Sequence, residues 1–170
     1  STINIAATSE SHDKRALVKH LRATGELTAG LLLRALLCGN TELFDLSLVE
    51  LTGLGLAKVT GITMDGSATS ITALLTRAGL PMSTFPAFRA ALDANNDIGF
   101  VDTAGGESRL RRRMVERVLT SCEQDESATE ALMVLLRRFE TESAREEARA
   151  FCDELVADDA VRFNDRQLAA

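Results

Sequence analysis

Side chains able to ligate a metal, transfer protons or attack a carbonyl are sparse in this chain of 170 residues. Its two histidines, His12 and His20, lie on a basic stretch with no cysteine or carboxylate cluster around them. They make a poor metal set, which wants several N, S or O donors converging. A Ser–His or Cys–His pair would have to recruit one of them from what reads as an N-terminal surface helix. The sharpest local pattern is Asp93-Ala-Asn95-Asn-Asp97-Ile-Gly99, with oxygen-bearing side chains at the first, third and fifth positions of a calcium loop. The sixth position is Ile98, where the turn wants glycine, and the twelfth is Ala104, where a bidentate glutamate should close the shell. Glu107 comes three residues too late, so a plain polar loop is expected. Gly53-Leu-Gly55 lacks the preceding strand and third glycine of a phosphate loop and reads as a turn between helices. No pair of carboxylates stands out from the acidic background. The expectation is a non-enzymatic protein with no catalytic, metal or cofactor residues.

Charge gives the one distinctive surface feature. Net charge is −6, which argues against bulk affinity for nucleic acid or an anionic membrane. Residues 1–39 carry +2, 40–108 carry −5, 109–120 carry +4 and 121–170 carry −7. The positive block is Arg109, Arg111, Arg112, Arg113 and Arg117. These arginines either pair internally with the acidic last fifty residues or form a partner site for phosphate, nucleic acid or an acidic protein. Internal pairing is the simpler reading. The three cysteines, Cys38, Cys122 and Cys152, form no CxxC pair and read as small core residues. No apolar run approaches the ~20 residues of a membrane span, and the N-terminus lacks the features of a signal peptide. A cytoplasmic location is therefore expected.

The elements that carry these residues read as helices throughout. Hydrophobic residues make up 45% of the chain, yet aromatics only 4%, all phenylalanine, and the only prolines are Pro81 and Pro86. Leu, Ala and Val must fill the core, which suits helix-on-helix packing and not a β-sandwich. Residues 1–10 read as a flexible lead-in and 11–94 as a helical-hairpin subdomain of two repeat-like units. Residues 95–106 read as a loop joint, 107–160 as a C-terminal helical hairpin and 161–170 as a frayed tail. Thr28 and Asn40 or Thr41 stand where helix caps belong, and Gly39, Gly53 and Gly79 stand at helix ends. In the third helix Leu43, Phe44, Leu48 and Leu51 fall on a broad apolar face.

Phe44 and Phe85 are 41 positions apart, as are Leu51 and Leu92, and Leu33 and Leu74. That period falls within the ~40–47 residues of HEAT and armadillo units. Leu110, Met114, Val118 and Cys122 recur every four residues, as one buried face of a helix requires. Ser127 with Glu130, and Ser143 with Glu146, have the spacing of capping boxes. No Gly or Pro separates the two boxes, so a continuous helix that changes partner along its length is expected.

The stretch Leu27-Thr-Ala-Gly-Leu-Leu-Leu-Arg-Ala-Leu-Leu-Cys-Gly-Asn, with Leu43-Phe44 and Leu51-Thr-Gly after it, has a distinctive partner in Arg77-Ala-Gly-Leu-Pro81 and Phe85-Pro-Ala-Phe-Arg-Ala-Ala-Leu92. Together these segments resemble an uncharacterised alphaproteobacterial family, domain of unknown function 2336, over roughly residues 25–150. The resemblance implies a HEAT-like helical fold and no activity; with the periodicity above, the fold class expected is all-α, HEAT-like helical hairpins packed against a C-terminal pair of longer helices. If longer relatives carry further repeats before this region, an exposed apolar face near residues 12–37 marks the junction. Arg34 and Arg77, each just before a helix end, suit interaction with the last carbonyls.

The function expected is a helical-repeat adaptor or regulatory module that binds another protein. The alternatives are a phosphate- or nucleic-acid-binding regulator using the Arg109–Arg117 helix, and a self-associating structural unit such as a homodimer.

Overall fold

Side-chain caps and left-handed glycines set where these helices start and stop. The computed structural model describes the backbone of residues 2–98 and 106–168 and the side chains of residues 12–98 and 106–167. At the start of α2 (Ala29–Leu37), Thr28 accepts a hydrogen bond from the Leu31 amide. At the start of α3 (Thr41–Thr52), Asn40 accepts one from the Leu43 amide. Each such cap is worth about 1 kcal/mol. Gly39 and Gly79 sit at the end of the first helix of each hairpin with φ of +74°, a left-handed stop that a Cβ would strain. The remaining helices are α1 (Thr2–Ala23), α4 (Leu56–Asp65), α5 (Ala68–Arg77), α6 (Phe85–Ile98), α7 (Gly106–Glu123) and α8 (Glu130–Leu168), with a 3₁₀ turn at Met82–Thr84. The protein is all-α, and the described residues contain no strand.

Helix α3 lies at the centre, packed against α1, α2, α4 and α5. Across the bundle Phe44 of α3 stacks on Phe88 of α6, with ring centroids 5.8 Å apart and planes inclined by 28°. Leu32, Leu36, Leu48 and Leu75 close around them, all fully buried. The two hairpins meet crosswise: α2 lies along α6 and α3 along α5. This differs from the side-by-side stacking of equivalent helices that a solenoid would give, and α4 is an extra helix between the hairpins. α7 packs on α6 and α2, and α8 packs along α7. Met114, Val118 and Cys122 thereby join Leu132, Leu136 and Phe139 in the same hydrophobic core as the first hairpins.

Several boundaries differ from the sequence expectation. α1 begins at Thr2, so the stretch expected as a flexible lead-in is helical; nothing from Thr2 to Ser11 breaks a helix. α6 runs through Ile98, past the expected start of the joint at residue 95. Its last turn is tied down by Asn95, whose amide donates to the carbonyls of Ala91 and Leu36. Residues 99–105 of the joint lie outside the described residues. The Ser127–Glu130 box is not the cap of α8. Ser127 donates its amide and hydroxyl to Asp125, and Thr129 accepts from the Leu132 amide instead. α8 is continuous, as expected, with Ser143 inside it donating to the Glu140 carbonyl. It stays helical through Leu168, where a frayed tail was expected, because no Gly or Pro interrupts it.

The Phe44–Phe88 contact locates the most sensitive point of the fold. Phe88→Ala should cost about 3–5 kcal/mol in urea unfolding followed by circular dichroism, whereas Leu155→Ala, on an exposed stretch of α8, should stay within about 0.5 kcal/mol of wild type.

Candidate functional site

The arginine block lies on α7 and is largely spent on α8. Arg111 pairs with Glu146, and Arg112 reaches Glu147 at 2.6 Å and Glu116 at 2.8 Å. Arg109 lies 3.7 Å from Glu147, and Arg117 pairs with Asp97 at the end of α6. Arg113 is exposed and has no ion-pair partner among the described residues. Arg34 of α2 closes the same seam: its guanidinium sits 4.7 Å from the Phe139 ring centroid and 2.9 Å from Glu142. Arg34 thus serves a neighbouring helix and not its own last carbonyls. Arg77 does act on a helix end, that of α3, where its Nε donates to the Thr52 carbonyl at 3.1 Å.

Beyond this seam α8 runs into solvent. Every residue from 151 to 167 is exposed, among them Phe151 (55%), Leu155, Val156, Val161 and Phe163 (63%). Phe151 and Leu155 are one turn apart. Cys152, Val156 and Phe163 follow at i, i+4 and i+11, within about 40° of one another on an adjoining face. Val161 lies on the other side. The stretch is acidic, with Asp153, Glu154, Asp158, Asp159 and Asp165 against Arg162 and Arg166. The large apolar side chains expected to remain exposed near residues 12–37 are mostly buried, with only Leu17 exposed among them. Most of the exposed large apolar side chains lie on α8 instead.

The residues first weighed for chemistry are dispersed. His12 and His20 are exposed on α1. Asp93, Asn95 and Asp97 are held in the last turns of α6, where helical geometry does not let them converge on one ion, and Ala104 lies outside the described residues. The described residues hold no group of three or more His, Cys, Asp or Glu able to share a metal. Cys122 is buried, and burial, with Asp125 nearby, pushes its thiol up to about 11. Cys38 is half-buried, whereas Cys152 is exposed and not a core residue.

One group was missed by sequence reasoning. Asp45, on the buried helix α3, is only 8% exposed. Its carboxylate accepts from Thr60 at 3.0 Å and Thr63 at 3.1 Å, both on α4. Burial raises its pKa above the ordinary 3.8 and outweighs the two hydroxyls, which lower it. The signal was present in Leu43-Phe-Asp-Leu46, a carboxylate set among residues of an apolar face.

Fold and surface together define an all-α bundle of hairpins from which a long C-terminal helix projects. The chain belongs to the bacterial family described as uncharacterised protein conserved in bacteria (DUF2336), whose model matches residues 1–128. The match starts earlier than the resemblance in sequence suggested and stops just before α8. No curated protein and no solved structure matches the chain.

Asp45 gives the fold a defined pH response. Because its folded pKa is raised, its contribution to stability is fully present below 3.8 and is lost as pH rises through the folded value. Asp45→Asn should therefore gain stability relative to wild type between about pH 3 and pH 7 in paired urea titrations, and a constant gap would show that Asp45 is not perturbed.

Proposed function

We propose that this protein is a non-enzymatic helical adaptor or regulatory module of the cytoplasm that binds another protein. The observation that carries the reading is the projecting part of α8, a helix with unpartnered aromatic and aliphatic side chains. An isolated helix of this length gains little from propensity alone, and helices normally draw their stability from packing an apolar face. A groove with apolar floor and basic rim is the complementary partner, since amphipathic helices dock through anchors at such spacings.

The phosphate or nucleic-acid reading of Arg109, Arg111, Arg112, Arg113 and Arg117 is weaker. Most of those guanidiniums neutralise carboxylates of the same molecule, which leaves chiefly Arg113 to offer a phosphate. Retention on single- or double-stranded DNA or RNA at low salt, lost in Arg113→Glu, would favour it.

The test of the leading reading is affinity capture with the whole chain as bait, comparing wild type with Phe151→Ser/Phe163→Ser. The double variant should lose its partner while keeping its urea midpoint, because exposed substitutions usually shift stability by no more than about 0.5 kcal/mol. Retention of the same partner by the double variant would rule out α8 as the binding element. Sedimentation at several concentrations separates a monomer from a dimer built on α8, the self-associating alternative.

A further inference from the structure

A mostly apolar cavity of about 300 Å³ opens between α3, α4 and the end of α6. Leu36, Phe44 and Leu92 supply apolar wall, while Asp45, Asn95 and Asn96 bring polar side chains to it. Among the described residues, Asp45 is the only charged one lining it, with no Lys, Arg or His beside it. A buried carboxylate without a cation is costly unless hydrogen bonds satisfy it.

Those hydrogen bonds are incomplete. A carboxylate offers about four acceptor sites. Thr60 Oγ meets one oxygen, and Thr63 Oγ lies 3.1 Å from the other. However, Thr63 Oγ is also 3.1 Å from the Thr60 carbonyl, and its single proton can serve only one of them. The two asparagines add acceptors. Asn95 spends its amide protons on the Leu36 and Ala91 carbonyls, and Asn96 donates to the Met64 carbonyl. Among the described residues, no donor reaches the Oδ1 of either one. The cavity therefore combines one negative charge, surplus acceptors and apolar wall.

We infer that the Asp45 cavity binds a primary ammonium carried on a short apolar stem. An ammonium brings three N–H donors and one positive charge, matching the acceptors and the carboxylate, and its stem meets Phe44 and Leu92. The same chemistry has two sources, a free alkylamine or the lysine side chain of a partner protein. The site is separate from the α8 surface, so the two readings stand or fall independently.

The experiment is a titration of the ¹⁵N-labelled full chain, followed by NMR. The probes are n-butylammonium chloride and Nα-acetyl-lysine methylamide, with 1-butanol as the neutral control. Saturable shifts are expected at the side-chain amides of Asn95 and Asn96 and the backbone of Thr60 and Thr63. They should appear with at least one cation and be much weaker with 1-butanol. Saturation by butylammonium alone identifies a small amine as the source, and tighter binding of the lysine derivative identifies a protein side chain. Asp45→Asn keeps the shape of the side chain and should weaken binding about tenfold or more, since the charge pair is largely desolvated. Asn96→Ala, at the exposed mouth, should weaken it several-fold without touching the core. Absence of saturable shifts with both cations, an equal response to 1-butanol, or unchanged affinity in both variants would overturn the assignment.

Discussion

The burial of α3 on several sides is the constraint from which the rest of the fold follows. A helix so enclosed must have its polar groups met from within, and α1, α4 and α5 all contribute. Ser47 and Thr52 turn their hydroxyls back onto the Leu43 and Leu48 carbonyls. At the C-terminus of α3, where carbonyls lack intrahelical donors, Arg22 of α1 reaches the Glu50 carbonyl at 2.8 Å and Arg77 of α5 the Thr52 carbonyl. Lys14 adds a 2.6 Å pair with Glu42 at the other end. Helix α4 is fixed by Thr60, which donates to Asp45, and by Thr63, whose hydroxyl lies 3.1 Å from the same carboxylate. The apolar side of the same helix presents Phe44 to Phe88 and so brings in α6, on which α7 is then laid.

The α7–α8 seam is built on a different balance. Its ion pairs are numerous, but each is partly exposed, and pairs in that setting contribute little individually. What holds α8 in place is the burial of Leu132, Met133, Leu136 and Phe139 against α7 and α2, at roughly 1.5–3 kcal/mol for each large apolar side chain. The charges fix register instead. Arg109, Arg111 and Arg112, within about one turn of α7, meet the adjacent Glu146 and Glu147, and sliding α8 by one turn would break those pairings together. The Arg34 guanidinium over Phe139 ties that register back to the first hairpin.

Much of this was legible in the sequence because helix periodicity and capping are local. Thr28, Asn40, Gly39 and Gly79 do what their types and positions imply, and the two hairpins with their phenylalanines stand where Leu33, Phe44, Leu74 and Phe85 place them. What escaped depends on partners distant in the chain. The crosswise pairing of the hairpins is a tertiary choice that a 41-residue period does not encode. Asp45 looked like one more acidic residue until α4 closed over it. The arginines presented both of their expected faces, and only the placement of α8 decided that most of them pair inside the molecule. The cap at Thr129 was missed because Ser127 and Glu130 had the spacing of a box, while Asp125 was the better partner for Ser127.

A continuous helix held at one end behaves as a lever. From the last well-packed contact near Ser143, the axis rises about 1.5 Å per residue, so Phe163 stands roughly 30 Å from the fulcrum. A rotation of about ten degrees at the seam would therefore carry that tip about 5 Å, more than the width of a methyl group. Conversely, a load on the tip is delivered to Arg34, Phe139 and the paired turns of α7, and from there into the hairpins. A contact made at the tip would thus reach the core by leverage, along a continuous helix with no linker in between.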